Sequence, residues 1–243
     1  FLVKMLDESS QIRDRKILAK RIKTLLDQYG VPEFLNKRDA FLFKMYQAFG
    51  HHFDFIAIPI IKKRLRMDTS QVIINEERPQ LTKHLATRFK EKIGQNVNLL
   101  GEVVLGNGEA DHRYHHYLEA LESPDINYIS VKISGIYAQT HALNYEESFP
   151  ELISRMSALY QKAIDFPYTD EDGIKRSKFI NLDMEEYKDA HFTLRLFKAV
   201  LNLPQFKNYS AGIVVQAYLP DAYDFQTELL EFAKARVDGG GAP

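Results

Sequence analysis

The hydrophobic periodicity of this chain changes near residue 95, and that change limits the fold more than any other feature. Before it, apolar residues such as Leu18, Ile22 and Leu25 recur at spacings of three and four, the pattern of amphipathic helices. From Asn96 onwards, short apolar runs alternate with longer amphipathic stretches, which indicates parallel strands joined by crossover helices. The sequence therefore predicts a helical arm over residues 1–95 and an α/β domain over residues 96–243.

The bounds of the elements follow from the breakers and the apolar runs. Gly30-Val31-Pro32 ends the first helix, and Pro79 suits the first turn of a later one. Further helices of the arm are predicted around residues 40–49, 53–66 and 80–93. Four strands are predicted at residues 97–104, 128–134, 179–183 and 212–218. Each strand is apolar on both faces, so we expect helices to cover both faces of the sheet.

Two helices of the α/β part carry the apolar stripe that is expected of a helix packed on a sheet. After the second strand the stripe consists of Phe149, Leu152, Ile153, Met156, Tyr160, Ala163 and Ile164. After the third strand it consists of Tyr187, Leu194, Phe197 and Leu201. The polar segments 170–173 and 202–210 are predicted as loops.

Charge and composition exclude several classes of function. The 32 Lys and Arg residues oppose 33 Asp and Glu residues for a net charge of -1, so no overall field attracts nucleic acid. The absence of Cys excludes disulfides, thiolate metal sites and a Cys nucleophile, and it suits a reducing compartment as well as the periplasm. We find neither a signal-peptide pattern nor an apolar run of spanning length. We therefore expect a cytoplasmic protein.

One polar residue stands near the end of each predicted strand: Glu102, Lys132, Asp183 and Gln216. In a (β/α) barrel, the carboxyl ends of the strands and the loops after them build the active site. Four polar groups at these ends therefore predict a catalytic pocket. The competing interpretation is that Lys132 and Asp183 form a structural ion pair.

The chemistry of Lys132 leaves two functions open. A desolvated ammonium within an apolar strand can pair with a carboxylate of the protein or of a substrate. It can also serve as a Schiff-base nucleophile, which would make the protein a lyase or an aldolase. A third, non-catalytic hypothesis is that the arm docks another subunit or domain, since its amphipathic helices have no covering partner of their own.

A metal site is the weaker interpretation of a histidine-rich helix. Asp111, His112, His115 and His116 fall on one predicted helix, where residues three and four apart share a face. An exposed polar face is the commoner use of such residues, so we predict no metal site. In the same way, the basic run 62–66 is predicted to be a solvated helix face rather than a lipid contact.

Several sequence blocks resemble those of a known family. They are Leu100-Gly101-Glu102, Ser130-Val131-Lys132-Ile133-Ser134, Ile180-Asn181-Leu182-Asp183-Met184-Glu185-Glu186-Tyr187 and Val214-Val215-Gln216-Ala217-Tyr218. In order, spacing and placement at strand ends, they resemble the signature blocks of the proline dehydrogenases. The resemblance covers roughly residues 95–243, and the helical arm resembles the N-terminal arm of the bifunctional proline utilization A proteins.

The resemblance implies a (β/α)8 barrel of the TIM type that binds FAD and oxidises L-proline to Δ1-pyrroline-5-carboxylate. A hydride would pass from C5 of proline to N5 of FAD, and the electrons would continue to a membrane quinone. The protein would therefore act in proline catabolism, and the quinone implies peripheral association with a membrane.

Residue roles are implied by the same blocks. Lys132 would pair with the proline carboxylate, and Asp183 would lie beside both flavin and substrate. Met184 and Val214 would line the isoalloxazine, and Gln216 would hydrogen-bond the flavin ring.

The first block implies a gate at the site. Glu102 would form one half of an ion pair that closes it, with an Arg beyond this chain as its partner. Family members often carry Asp four residues before that Glu, where this chain has Asn98.

A barrel of this type has eight strands, whereas this sequence supplies four. We therefore expect the arm and the first half of the barrel of a longer protein, an expectation that the appearance of Phe1 and of residues 239–243 as cut points also supports. Half a barrel would leave two open edges of parallel sheet, and we expect it to be inactive by itself. The parent chain would carry a pyrroline-5-carboxylate dehydrogenase domain, and association into a homo-oligomer stays open.

Overall fold

The computed structural model describes residues 4, 12, 14–33, 35, 37–50, 54–69, 74, 78–99, 106–138, 144–184 and 186–243, without the side chains of 64–69 and 78. The chain divides into two compact units, Phe1–Leu81 and Thr82–Pro243.

The first unit is helical, as the periodicity predicts. Its helices are α1 (Arg15–Tyr29), α2 (Lys37–Phe49) and α3 (Asp54–Thr69). The side chain of Asp14 caps α1 by accepting a hydrogen bond from the Ile17 amide at 2.9 Å. Gly30, with φ +71°, ends the same helix as predicted. The core of this unit is formed by Leu18, Ala19, Ile22, Leu25, Leu26, Phe43, Tyr46, Ile58 and Ile61.

The second unit alternates strands with helices. It includes most of α4 (Arg78–Lys90), and two 3₁₀ turns, Tyr187–Asp189 and Pro204–Phe206, flank the helix Ala190–Leu201. The remaining elements are β1 (Asn96–Asn98), α5 (Asn107–Glu122), β2 (Tyr128–Lys132), α6 (Ile133–Ile136), α7 (Tyr145–Asp165), β3 (Tyr168–Thr169), β4 (Lys175–Arg176), β5 (Phe179–Asp183), α8 (Ala190–Leu201), β6 (Gly212–Ile213) and α9 (Ala222–Asp238).

Four of the strands form one parallel sheet in the order β1-β2-β5-β6, which confirms the predicted α/β class. Strand β5 has the predicted bounds, whereas β2 ends at Lys132 because the next four residues turn into the short helix α6. The edge strand β6 is shorter than predicted and ends at Ile213, although the Val214 amide still donates to the Leu182 carbonyl at 2.9 Å. Residues 100–104, predicted as strand, lie outside the described part.

The prediction that both faces of the sheet are apolar is wrong. Side chains alternate between the two faces of a strand, so residues of equal parity share a face. One face, the outer face, holds Ile129, Val131, Ile180 and Leu182, all 0% exposed. The other, the inner face, is polar and holds Asn96, Asn98, Ser130, Lys132, Asn181 and Asp183.

The covering helices bury most of the predicted stripes. In α7 the buried members are Leu152, Met156, Tyr160 and Ala163, and in α8 they are Leu194, Phe197 and Leu201. Tyr187 does not belong to the stripe, because it lies in a 3₁₀ turn before α8 and is 56% exposed.

A small hairpin is an addition to the prediction. Strands β3 and β4 pair antiparallel around residues 170–173, which were predicted only as a loop. The Asp170 carboxylate accepts from the backbone amides of Asp172 and Ile174 at 3.0 and 2.9 Å, and Gly173 has φ +78°. These local bonds stabilise a hairpin whose strands are two residues long. Strands this short leave no recognisable periodicity in the sequence.

Across the described ranges, no helix is long and apolar enough to cross a bilayer.

Candidate functional site

The strand ends on the inner face bring Lys132 and Asp183 together. Strands β2 and β5 are parallel, and Lys132 is the register partner of Asp183. Both residues are the last of their strands, so they lie at the carboxyl edge of the sheet, where α/β proteins place their sites. Both are partly buried. A cation and an anion are thus adjacent at this edge.

Two side-chain amides hold the Asp183 carboxylate. The Asn181 Nδ2 donates to Oδ1 at 2.9 Å, and the Asn98 Nδ2 donates to Oδ2 at 3.4 Å. Asn181 is 8% exposed, whereas Asn98 is open to solvent. The charge of Asp183 also affects its surroundings: burial raises the pKa of Tyr128, and the nearby carboxylate raises it further.

Farther from the carboxyl edge on the same face, the side chains are polar and paired. The Asn96 Nδ2 donates to the Ser130 Oγ at 2.9 Å, and Ser130 is 2% exposed. Below them, the rings of Tyr128 and Phe179 meet edge to face with centroids 5.1 Å apart. An aromatic pair therefore lies next to the polar side chains of the inner face, on the side away from the carboxyl edge.

The segment after Lys132 is held by Arg155 of α7. Its Nη1 donates to the Ile136 carbonyl, the last of α6, at 2.8 Å. The same guanidinium pairs with Asp111 and with Glu151, both at 2.7 Å. Because α6 begins directly after Lys132, this anchor restrains the backbone at the strand end.

The fourth strand presents Val214 and Gln216 beyond its end. Val214 is 38% exposed, and Gln216 is partly buried, with its carbonyl accepting from the Leu219 amide at 3.0 Å. Met184, by contrast, is 4% exposed and packs with Ala190, Leu194 and Phe225. Its side chain thus belongs to the helical side of the sheet.

Loops at the carboxyl edge are cross-linked by tyrosines. The Tyr187 hydroxyl donates to Asp221, which precedes α9, and the Tyr145 hydroxyl at the start of α7 donates to Asp189. The Tyr145 ring also stacks on Phe192 at 4.1 Å. The chain after Asp183 is therefore connected to the segments that follow β2 and β6.

The remaining predicted residues contribute little to this geometry. Glu102 lies outside the described residues. His112 and His116 have ring centroids 4.3 Å apart, but within the part of the chain that the structure covers, no group of three or more His, Asp or Glu could hold a metal ion. Asp111 instead binds Arg155.

The sequence prediction does not include Asn181, which contacts Asp183, nor the polar residues Asn96 and Ser130 that lie on the same face outside the strand ends. Their signal is the period-two polarity of Asn96-Val97-Asn98, Ser130-Val131-Lys132 and Asn181-Leu182-Asp183. It marks one polar face per strand, whereas the prediction rests on a single polar residue at each strand end.

Comparison with known proteins identifies the family. A family model described as proline dehydrogenase matches residues 81–241. Proline utilization A from Corynebacterium freiburgense is similar, with 33% identity and a TM-score of 0.65 over 95% of this chain and 20% of that one. The Bdellovibrio bacteriovorus protein, inactivated by N-propargylglycine, has 23% identity and a TM-score of 0.61, covering 97% and 27% of the two chains.

A Bradyrhizobium japonicum proline utilization A variant gives 18% identity and a TM-score of 0.60, covering 97% of this chain and 26% of that one. This chain thus spans between 20% and 27% of the length of these three structures. No curated protein matches it. The family match covers more than half of the residues, and the chain therefore belongs to the proline dehydrogenase family.

Proposed function

We propose that this chain is part of an enzyme that oxidises L-proline to Δ1-pyrroline-5-carboxylate with FAD and passes the electrons to a membrane quinone. The observation that carries the proposal is the adjacent pair Lys132 and Asp183 at the carboxyl edge of a parallel sheet. Membership of the proline dehydrogenase family supplies the reaction class.

Lys132 binds the carboxylate of proline. A lysine ammonium and a carboxylate form a charge-assisted pair, which is strongest where water is partly excluded. Lys132 is partly buried, and the Arg155 anchor restrains the chain that follows it. The side chain thus orients the substrate from a fixed strand end.

Asp183 lies beside the substrate amine and the cofactor. Its carboxylate is held at both oxygens by amide donors, so its direction is set before substrate arrives. A carboxylate in this position complements the positive charge of the proline nitrogen. It can also act as the base for the proton that this nitrogen loses during oxidation.

The donor set at this edge suits a flavin ring. Gln216 offers an amide to ring heteroatoms, and Val214 offers exposed apolar surface to a ring face. Met184 would contribute its backbone, because its side chain is buried among Ala190, Leu194 and Phe225. The chemistry that FAD supplies when bound is acceptance of the hydride from proline. Glu102 keeps its proposed role as one half of a gate ion pair.

The chain comprises a helical arm over residues 1–95 and four of eight βα units over residues 96–243. In support, among the residues that the structure describes, β1 and β6 each have one side on which no strand is paired. An apolar groove of about 620 Å³ lies beside β6, and a further βα unit would cover it. It is lined by Phe197, Leu201, Ile213, Val215, Leu229 and Leu230, among others. The natural protein would complete the barrel and add a pyrroline-5-carboxylate dehydrogenase domain, and this segment alone would not turn over.

The decisive measurement is the visible absorption spectrum of the natural protein that contains this chain, before and after anaerobic L-proline. Flavin bands that bleach with proline are the expected result. A colourless protein, or a coloured one that proline leaves unchanged, would contradict the proposal. In that case borohydride trapping of a carbonyl substrate on Lys132 would test the Schiff-base alternative.

The docking hypothesis for the arm has an observation in its favour. Helices α2 and α3 expose large apolar side chains, among them Phe41 at 62%, Phe49 at 57% and Phe55 at 54%. Such a concentration is typical of a covered surface. Deleting residues 1–66 should change the oligomer mass or the solubility of the protein, and an unchanged result would remove this hypothesis.

A further inference from the structure

We infer that Asn181 is a positioning residue of the active site, whose side-chain amide sets the orientation of the Asp183 carboxylate together with Asn98. The inference rests on the proposed function, because it assigns a partner to the carboxylate that acts there. Asn181 would not contact proline. It would act through Asp183.

The donor and acceptor chemistry fixes the direction of the bond. An ionised carboxylate only accepts hydrogen bonds, so the Asn181 group that faces Asp183 must be its NH₂. The Nδ2 to Oδ1 distance of 2.9 Å is that of a good hydrogen bond. Residues two apart on a strand share a face, which places this donor next to the last residue of β5.

The neighbouring strand restricts the Asn181 side chain. Gly212 of β6 is the register partner of Asn181. A Cβ built on Gly212 would lie 2.6 Å from the Asn181 Oδ1 and 2.9 Å from the Phe179 Cε1, closer than real Cβ atoms approach. A side chain at position 212 would therefore displace the amide. With glycine there, Asn181 is 8% exposed and packed against the neighbouring backbone.

Asn98 completes the arrangement from the other side. Its Nδ2 lies 3.4 Å from the Asp183 Oδ2, across the intervening strand β2. Each carboxylate oxygen thus has its own donor, and turning the plane of the carboxylate away from these donors would weaken both bonds. Misorientation of a reacting group by small amounts costs rate strongly, so these donors should act on turnover rather than on substrate affinity.

The test replaces the donor with an isosteric apolar side chain, Asn181→Leu, in the natural protein. Loss of a hydrogen bond to a charged group predicts a fall of about 10- to 100-fold in kcat for proline, with KM changed by less than about threefold. Asn181→Asp should fall further, because it places a like charge beside Asp183. The exposed Asn98→Leu, which cannot disturb the core, should lower kcat by about threefold to tenfold.

The matched control is Asn96→Leu. Asn96 lies on the same face and loses a bond of the same 2.9 Å length, but to Ser130 rather than to Asp183. Its kcat should stay within about twofold of the wild type. Equal losses in Asn181→Leu and Asn96→Leu would overturn the inference, because both would then report only general damage to the sheet.

A double-mutant comparison separates positioning from folding. In an Asp183→Ala background, Asn181→Leu should cause no further loss of kcat, whereas a purely structural residue would cost the same in either background. If the wild type does not oxidise proline, the proposed function fails, and the hydrogen bond is then tested alone. The side-chain NH₂ resonance of Asn181 in ¹⁵N-labelled protein should shift in Asp183→Ala, and an unchanged resonance would overturn the inference.

Discussion

The two faces of the parallel sheet differ in what they contribute, although they are made by the same short strands. The outer face presents Ile129, Val131, Ile180 and Leu182, all fully buried. The inner face presents Ser130, Lys132, Asn181 and Asp183, which are polar and connected by hydrogen bonds or register to one another. Neighbours in sequence therefore differ in role: one residue stabilises the fold, and the next belongs to the face that carries the candidate site.

The difference between the two faces explains how the same short strands provide both part of the core and the candidate site. Burial of apolar side chains on the outer face stabilises the strand by about 1.5 to 3 kcal/mol per residue. That gain offsets the cost of placing ionisable groups at the strand ends. Substitutions on the outer face should therefore lower stability, whereas substitutions on the inner face should lower activity.

The largest effect is expected for Asp183→Ala on the inner face. Removing the carboxylate should lower proline-dependent flavin reduction about 1,000-fold, the range seen for a positioned acid or base. The melting temperature should change by less than about 2 °C, because the side chain is only partly buried. Stopped-flow reduction and thermal unfolding of the natural protein measure the two quantities. Retained reduction would remove Asp183 from the proposed site.

The neighbouring substitution Leu182→Ala should have the opposite signature. Leu182 is 0% exposed, and truncating a buried leucine costs about 2 to 5 kcal/mol, partly through the cavity left behind. Hydrogen exchange of the β5 amides should accelerate accordingly. The reduction rate per folded molecule should stay near that of the wild type. A selective loss of rate with normal exchange would contradict the division between the faces.

Lys132→Met tests the inner face at the neighbouring strand end. Loss of the ammonium should raise the KM for proline about 100-fold, as for removal of one member of a partly buried charge pair, while flavin stays bound. Lys175→Met in the exposed strand β4 is the matched control and should leave KM unchanged. If borohydride instead traps a substrate on Lys132, the residue is a nucleophile and the proposed role is wrong.

The smallest effect concerns Lys178, which is the exception on the outer face. It is 1% exposed at the amino end of β5, where its Nζ donates to the Ser123 carbonyl. Burial lowers the pKa of Lys178 to about 8, and the charge of Asp125 only partly opposes this. Below pH 8 the folded protein carries a buried ammonium at a cost. Between pH 8 and the ordinary value of 10.5, the unfolded chain binds more protons, so stability rises with pH.

Lys178→Met should therefore stabilise the protein at pH 7 by about 1 kcal/mol, and the gain should shrink as pH rises towards 10.5. The midpoint of denaturant unfolding, measured at several pH values, follows this difference. Lys175→Met again serves as the control, since its exposed side chain has no burial cost to relieve. A gain that is constant across this pH range would show that the ammonium is not the cause.

Part of the candidate site could be predicted residue by residue. Lys132 and Asp183 were found because a charge at the end of an apolar run is costly and thus conspicuous. Asn181 was not, because an amide within Ile180-Asn181-Leu182 looks like an ordinary strand interruption. Its importance depends on Gly212, which lies 31 positions further along the chain and leaves space for it.

The sequence by itself determined the local order of this protein. The helical periodicity of 3.6 residues, short apolar runs, glycine and proline breakers, and family blocks were enough to predict a helical arm, four parallel strands and the charged strand ends. These signals are local, since each depends on residues a few positions apart.

Only the tertiary structure decided which side chains meet. The register of β2 on β5 places Lys132 opposite Asp183, and the pairing of β5 with β6 places Gly212 against Asn181. The period-two polarity of each strand is local, but the register decides that the polar residues of neighbouring strands share a face, and helix packing decides which face is covered. Register and cover are set by the sum of many long-range contacts, and no local pattern contains that sum.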